Sequence, residues 1–202
     1  MANPLIEKLV LATHNAGKME EMRQLLAPFG VSLVSAADFG LAAPEETATD
    51  FIGNARIKAH FVAENTGLPA LADDSGIEID ALQGAPGIYT ADWAEGPGGR
   101  DFDRAMTKAW GLIEASGETP PHLARFRCAI VLAWPDGREL VFEGVVGGQV
   151  VWPPRGPHGH GYDPMFQPTG WDLTFAEMTA EDKNRISHRA QALKALTDRC
   201  FT

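Results

Sequence analysis

Residues 70 to 82 read Ala-Leu-Ala-Asp-Asp-Ser-Gly-Ile-Glu-Ile-Asp-Ala-Leu, and this stretch limits what the chain can build. An apolar run of strand character leads straight into two adjacent carboxylates, Asp73 and Asp74, and apolar residues resume at Ile77, Ile79 and Leu82. The acidic pair therefore sits within the fold, where neighbouring carboxylates repel and lose solvation unless something cationic compensates. No Lys or Arg occurs from Ala59 to Gly99, whereas Glu64, Asp73, Asp74, Glu78, Asp80, Asp92 and Glu95 all do. Such a segment ordinarily means a solvated acidic face. Two acids placed after a buried strand make a divalent cation a serious alternative.

The 202 residues suffice for one domain, or two closely packed lobes, with a sizeable core. A hydrophobic share of 45% and a charged share of 22% are those of a soluble globular protein. The net charge of −10 argues against nucleic acid as a partner, because a polyanion needs a basic face. The opening residues hold only a short apolar run, interrupted by Glu7 and Lys8, and read as neither a signal peptide nor a membrane span. Cys128 and Cys200 form no CxxC, which fits reduced thiols in a cytoplasmic protein.

The chain alternates elements. Residues 9–13 form a short strand, followed by a turn and a helix over about 17–28, with Met19, Met22, Leu25, Leu26 and Phe29 at helical spacing. Residues 31–36 form a second strand. Asp50 is placed to cap a helix that turns Phe51, Ile57 and Phe61 to the core. Two strands, 69–73 and 76–82, flank the acidic pair, and a helix over 100–117 ends at Gly117. The long β-like run 122–134, the turn signal Pro-Asp-Gly and the returning residues 139–152 predict a hairpin. Residues 153–164 make a Gly/Pro-rich loop of the length that is usually functional or disordered. A last helix begins near Ser187 with Ala190, Leu193 and Leu196 on one face. Early βα alternation with a late hairpin predicts an α/β fold with a mixed sheet.

Four clusters carry chemistry. Thr13-His14-Asn15-Ala16-Gly17-Lys18 joins a strand to a helix by a tight turn, which suits phosphate but equally an ordinary capped helix. It is not a Walker A loop, since Ala12 stands at the first glycine position and Met19 follows the lysine. Glu45 and Glu46 precede the second helix; alone they read as a surface pair, but with Asp73 and Asp74 they offer the hard oxygens that Mg²⁺ uses. No His/Cys spacing points to zinc. Gly161-Tyr162-Asp163-Pro164 forms the third cluster. Lys183, Arg185, His188 and Arg189 form the fourth, a cationic concentration suited to an anion or an acceptor-rich ligand.

In order and approximate spacing, ATHNAGK, EET followed by FIGNARIKA, ADDSGIEIDALQGAPGIYTA, GHGYDPMF and ISHRAQAL make the chain similar, end to end, to the inosine/xanthosine triphosphate pyrophosphatase family, the Ham1-like nucleotide hydrolases. The resemblance implies a long mixed, twisted sheet flanked by helices, two lobes around a central cleft, and a single domain over 1–202. It implies Mg²⁺-dependent hydrolysis of deaminated purine nucleoside triphosphates (ITP, dITP, XTP) to monophosphate and diphosphate by a cytoplasmic homodimer. Asp74 would be the catalytic acid/base and a metal ligand, and Glu46 a second ligand. Thr13, His14, Asn15, Ala16, Gly17 and Lys18 would hold the triphosphate, assisted by Ser75. His160, Gly161, Tyr162 and Asp163 would embrace the nucleoside, and Lys183, His188 and Arg189 would bind phosphate and the purine six-position.

Three positions depart from the family pattern. Gly53 stands where Glu is common, which puts a carboxylate near the metal in doubt. His160 replaces Phe on a base-stacking surface, and Asp92 replaces Arg where the local fold or a subunit contact is at stake. A related pyrophosphatase with another base preference and a non-catalytic nucleotide sensor remain the competing readings.

Overall fold

The computed structural model describes residues 6–13 and 16–201. Strand β1 (Lys8–Leu11) leads into helix α1 (Ala16–Leu26), and β2 (Ser32–Ser35) is followed by α2 (Phe51–Thr66) and β3 (Ala70–Ile79). Helix α3 (Phe102–Ser116), strands β4 (His122–Ala133), β5 (Glu139–Val150) and β6 (Phe166–Pro168), and helices α4 (Ala180–Ile186) and α5 (His188–Cys200) complete the order. Local chemistry explains the ends. The Asp50 side chain accepts from Gly53 N–H to cap α2, and the Asp101 side chain accepts from Arg104 N–H to cap α3. Gly67 and Gly117 close these helices in the left-handed region, at φ 68° and 72°. No described helix is long and apolar enough to cross a membrane.

One six-stranded sheet runs β2-β1-β3-β4-β5-β6. β1 pairs in parallel with β2 and with β3, setting Val10 beside Ala70 and Leu11 beside Leu71. β6 is antiparallel to β5, so the sheet is mixed. The chain divides into two compact units. The first comprises the described residues up to Asp74, Cys128–Gly144 and those from Arg189 onward; the second comprises Ser75–Arg127 and Val145–His188.

The first unit has two cores, sorted by strand alternation. Leu9, Leu11, Leu71, Ile130 and Leu132 pack with Met19, Met22 and Leu26 of α1 and Leu193 and Leu196 of α5. The alternate residues Val10, Ala70, Ala72, Val131 and Ala133 pack with Ala55, Ala59, Val62 and Ala63 of α2. Successive side chains of β1, β3 and β4 thus meet different helices. The second unit gathers Ile77, Ile79, Met106, Ile113, Phe126, Tyr162, Phe166 and Phe175 in a core of its own.

Several expectations need correction. The two strands flanking the acidic pair are one, since β3 passes through Asp73 and Asp74 without a break. Ile57 and Phe61 are only half-buried; small alanines form the core face of α2, because they let the helix approach the sheet closely. The short elements β6 and α4 were not foreseen. The 153–164 loop is tied down through Arg155 N–H to the Pro164 carbonyl (2.8 Å) and His158 N–H to the Ala176 carbonyl (3.0 Å).

Candidate active site

The adjacent aspartates are separated by the pleat. Asp73 follows the parity of Leu71 and meets α1 and α5; Asp74 follows Ala70 and Ala72 and meets α2. The Asp73 side chain is fully buried, and its Oδ2 lies 2.8 Å from Lys18 Nζ and 3.3 Å from Arg189 Nη2. Burial works to raise its carboxyl pKa, but Lys18, Arg189 and Lys58 outweigh burial and hold it well below the usual carboxylate range.

Asp74 has different company. Its Oδ1 lies 3.4 Å from Lys58 Nζ, and its Oδ2 accepts from Asn54 Nδ2 at 3.4 Å. Lys58 Nζ also donates to Glu46 Oε1 at 3.1 Å, so one ammonium bridges both carboxylates. Burial raises the Asp74 pKa; Lys58 and Lys18 pull it back, while Glu46 and Asp73 push it further up. Lys58 is itself held above its ordinary value, since Asp74, Asp73 and Glu46 outweigh the penalty of burial. The two neighbouring acids are thereby driven in opposite directions, Asp73 held as an anion and Asp74 shifted toward its protonated form.

The remaining candidates divide between the two units. Thr13 and Gly17 are half-buried at the end of β1 and the start of α1, where Ala16 is the first helical residue. His14 and Asn15 lie outside the described residues. Glu46 is exposed in a segment without regular structure. Gly53 stands where its N–H donates to Asp50 Oδ1 (2.7 Å), and a Cβ on it would come within 2.4 Å of the Ala48 methyl. Position 53 therefore supplies no carboxylate and instead lets Ala48 close on the helix.

In the second unit, Ser75 is half-buried on β3 and His160 is exposed. Asp163 is buried, and its Oδ2 accepts from His160 N–H at 2.6 Å and from Lys183 Nζ at 2.7 Å. A Cβ on Gly159, at φ 83°, would collide with that carboxylate, so the turn closes on it only as glycine. Gly161 is half-buried, and Tyr162 is wholly buried in the core with its ring edge-on to Phe102. His188, 5% exposed, stacks on Phe126 with ring centres 4.9 Å apart. Asp92 is exposed at the start of a single helical turn, 92–94.

Asn54 and Lys58 are the site residues that sequence reasoning missed, and for Asp73, named there as half of the acidic pair, it missed the gathering of Lys18 and Arg189. A signal existed for the first two. They stand four apart, beside Ala55 and Ala59, so two polar side chains occupy the face that the alanines bury.

A family model described as the Ham1 family matches residues 9–199. The chain belongs to the Ham1 family. Among the relatives, a dITP/XTP pyrophosphatase of Ruegeria pomeroyi is 61% identical over 195 residues, covering 96% of both chains. Another, from Zymomonas mobilis, is 54% identical, covering 96% of this chain and 92% of the relative. The solved structure of a HAM1 protein from Coxiella burnetii superposes with a TM-score of 0.87 at 37% identity, covering 95% of this chain and 96% of that one. The family carries this α/β sheet, and the motifs quoted above lie within the matched residues.

Proposed function

We propose that this Ham1-family chain hydrolyses deaminated purine nucleoside triphosphates, such as ITP, dITP and XTP, to the monophosphate and diphosphate. The observation that carries the reading is the divergence of Asp73 and Asp74: one organises two cations, and the other is a carboxylate with a raised pKa beside a second acid. Relatives named dITP/XTP pyrophosphatase at up to 61% identity support the substrate class.

Among the described residues no group of three or more His, Cys, Asp or Glu is arranged to hold a metal ion. The pair Glu46 and Asp74, already sharing one ammonium, nevertheless suits a hard cation. Mg²⁺ takes one or two carboxylates and completes its octahedron with water and phosphate oxygens. Bound there, it would supply Lewis-acid stabilisation of charge on the phosphoryl oxygens. Asp74 takes the proton of the attacking water at its carboxylate, and Lys58 and Asn54 hold that carboxylate in place. Lys18 and Arg189, gathered by Asp73, offer positive charge to the triphosphate, with Thr13, His14, Asn15, Ala16 and Gly17 also assigned to it and Ser75 assisting. Nucleoside recognition falls to His160, Gly161, Tyr162, Asp163, Lys183 and His188. Donors from His188 and Arg189 match the O6 acceptor of hypoxanthine and xanthine; the adenine amine would leave them unpaired at about 1–3 kcal/mol each. We extend the reading to a cytoplasmic homodimer, as the family resemblance implies.

Diphosphate release from ITP, dITP, XTP, GTP and ATP, each with and without Mg²⁺, tests the proposal. Release that requires Mg²⁺ and prefers the first three is expected. ITP binding without turnover would mark a nucleotide sensor, and a preference for a modified pyrimidine would mark a different pyrophosphatase.

A further inference from the structure

Asn54 is 4% exposed, an amide buried in the alanine face of α2. A buried amide is costly unless its polar atoms are partnered, and alanine or leucine would fill an apolar face at lower cost. Both ends of this amide are used. Its Oδ1 accepts from Ala48 N–H at 3.0 Å, and its Nδ2 donates to Asp74 Oδ2 at 3.4 Å. Only one orientation serves both, because the first partner is a donor and the second an acceptor.

One helical turn further on, Lys58 repeats the pattern with charge, touching Glu46 Oε1 and Asp74 Oδ1. Helix α2 thus grips the same two parts of the first unit twice: the segment carrying Glu46 and Ala48, and the carboxylate of Asp74. The two donors hold different oxygens of Asp74. A carboxylate turns easily about its last torsion, so a donor on each oxygen fixes its plane where one donor would leave it free. The neutral rung has a distinct use. A second cation at position 54 would compete with a metal ion, and a carboxylate there would repel Asp74. Gly53 completes the arrangement by admitting the Ala48 methyl against the helix.

We infer that Asn54 is a positioning residue, which aligns Asp74 with the Glu46 segment for joint use of the two carboxylates. The inference rests on the metal-assisted reading above. Its test is the binding of Mn²⁺ alone, followed by electron paramagnetic resonance, to the wild type, Asn54→Ala, Asn54→Ser and Val62→Ala, at a temperature where all are folded by circular dichroism. Removing such an outer partner of metal ligands costs about 10-fold or more in affinity or activity. Asn54→Ala is expected to weaken Mn²⁺ about 10-fold and to lower kcat for ITP similarly, with KM within about threefold. Asn54→Ser, which keeps a small donor and acceptor, should fall between Ala and wild type, and it carries the test if the alanine variant does not fold. Val62→Ala loosens the same helix without touching either carboxylate, and should keep the wild-type Mn²⁺ affinity. Asn54 variants within twofold of wild type, or equal weakening in Val62→Ala, would overturn the inference alone. A wild type with no Mn²⁺ affinity would overturn the metal reading and this inference together.

Discussion

Adjacent residues of one chemical kind do different work here because their neighbours differ. Asp74→Asn keeps shape and loses charge, and general-base roles account for factors of about 10² to 10⁴. Turnover of ITP by the Asn variant should fall by at least that range while its circular dichroism matches wild type; near-wild-type turnover would remove Asp74 from the chemistry. Lys18 sits at the start of α1 with its ammonium on Asp73, and it offers only charge. Lys18→Met should therefore weaken ITP binding far more than inosine binding, as calorimetric titration would read. Equal losses would contradict the phosphate role. Part of this site was legible in the sequence: the acidic pair, Glu46 and Lys18 stand out by charge or spacing, whereas the cations of 183–189 divide, Lys183 going to Asp163, Arg185 to Glu181 and Arg189 to Asp73. What was not legible is which acid meets which cation. Lys18, Lys58 and Arg189 come from distant parts of the chain, and only the pleat decides which of two neighbouring carboxylates each one meets.

At the level of elements, α2 is held at its outer side as well as its inner one. Arg56 Nε and Nη2 both donate to Glu139, and His60 Nε2 lies 2.8 Å from the same carboxylate, at the start of β5. The bond from Arg56 holds the Glu139 carboxyl below its ordinary value; burial opposes that and His60 helps it. An acid whose folded value lies below its unfolded one, near 4.3, adds stability above that pH and gives it up as pH falls through the folded value. Glu139→Gln should therefore cost about 1 kcal/mol or less near pH 7. The gap in urea midpoint between the two proteins should be widest near neutral pH and narrow as pH falls below the unfolded value and the wild-type carboxylate is protonated in turn; a gap constant with pH would assign the loss to packing. Elements with strong end signals were readable from sequence, as Asp50 before α2 and Gly117 after α3 demonstrate. β6, with three residues, and α4, with seven and none buried, are too short to show a period. β3 read as two strands because a carboxylate pair opposes strand propensity locally, and the cations that relieve it are remote in sequence.

For the molecule as a whole, each unit carries its own apolar core, so truncation in either should destabilise. Leu193→Ala in the first unit and Phe175→Ala in the second should each cost about 3 kcal/mol or more. For a chain of this size that lowers Tm by roughly 6–12 °C, measurable by scanning calorimetry. A drop under about 2 °C would mean the site repacks without a cavity. The pairing of Val10 with Ala70 and Leu11 with Leu71 has a further consequence. The proposed chemistry has a reading frame. Sliding β3 by one residue would turn each acid to the opposite face of the sheet, taking Asp73 away from the cations of α1 and α5 and Asp74 away from the lysine of α2. A one-residue deletion between Ala70 and Asp73 would therefore be worse than the loss of a side chain, whereas two residues removed together would restore the parity. Within this strand, length is quantised in pairs.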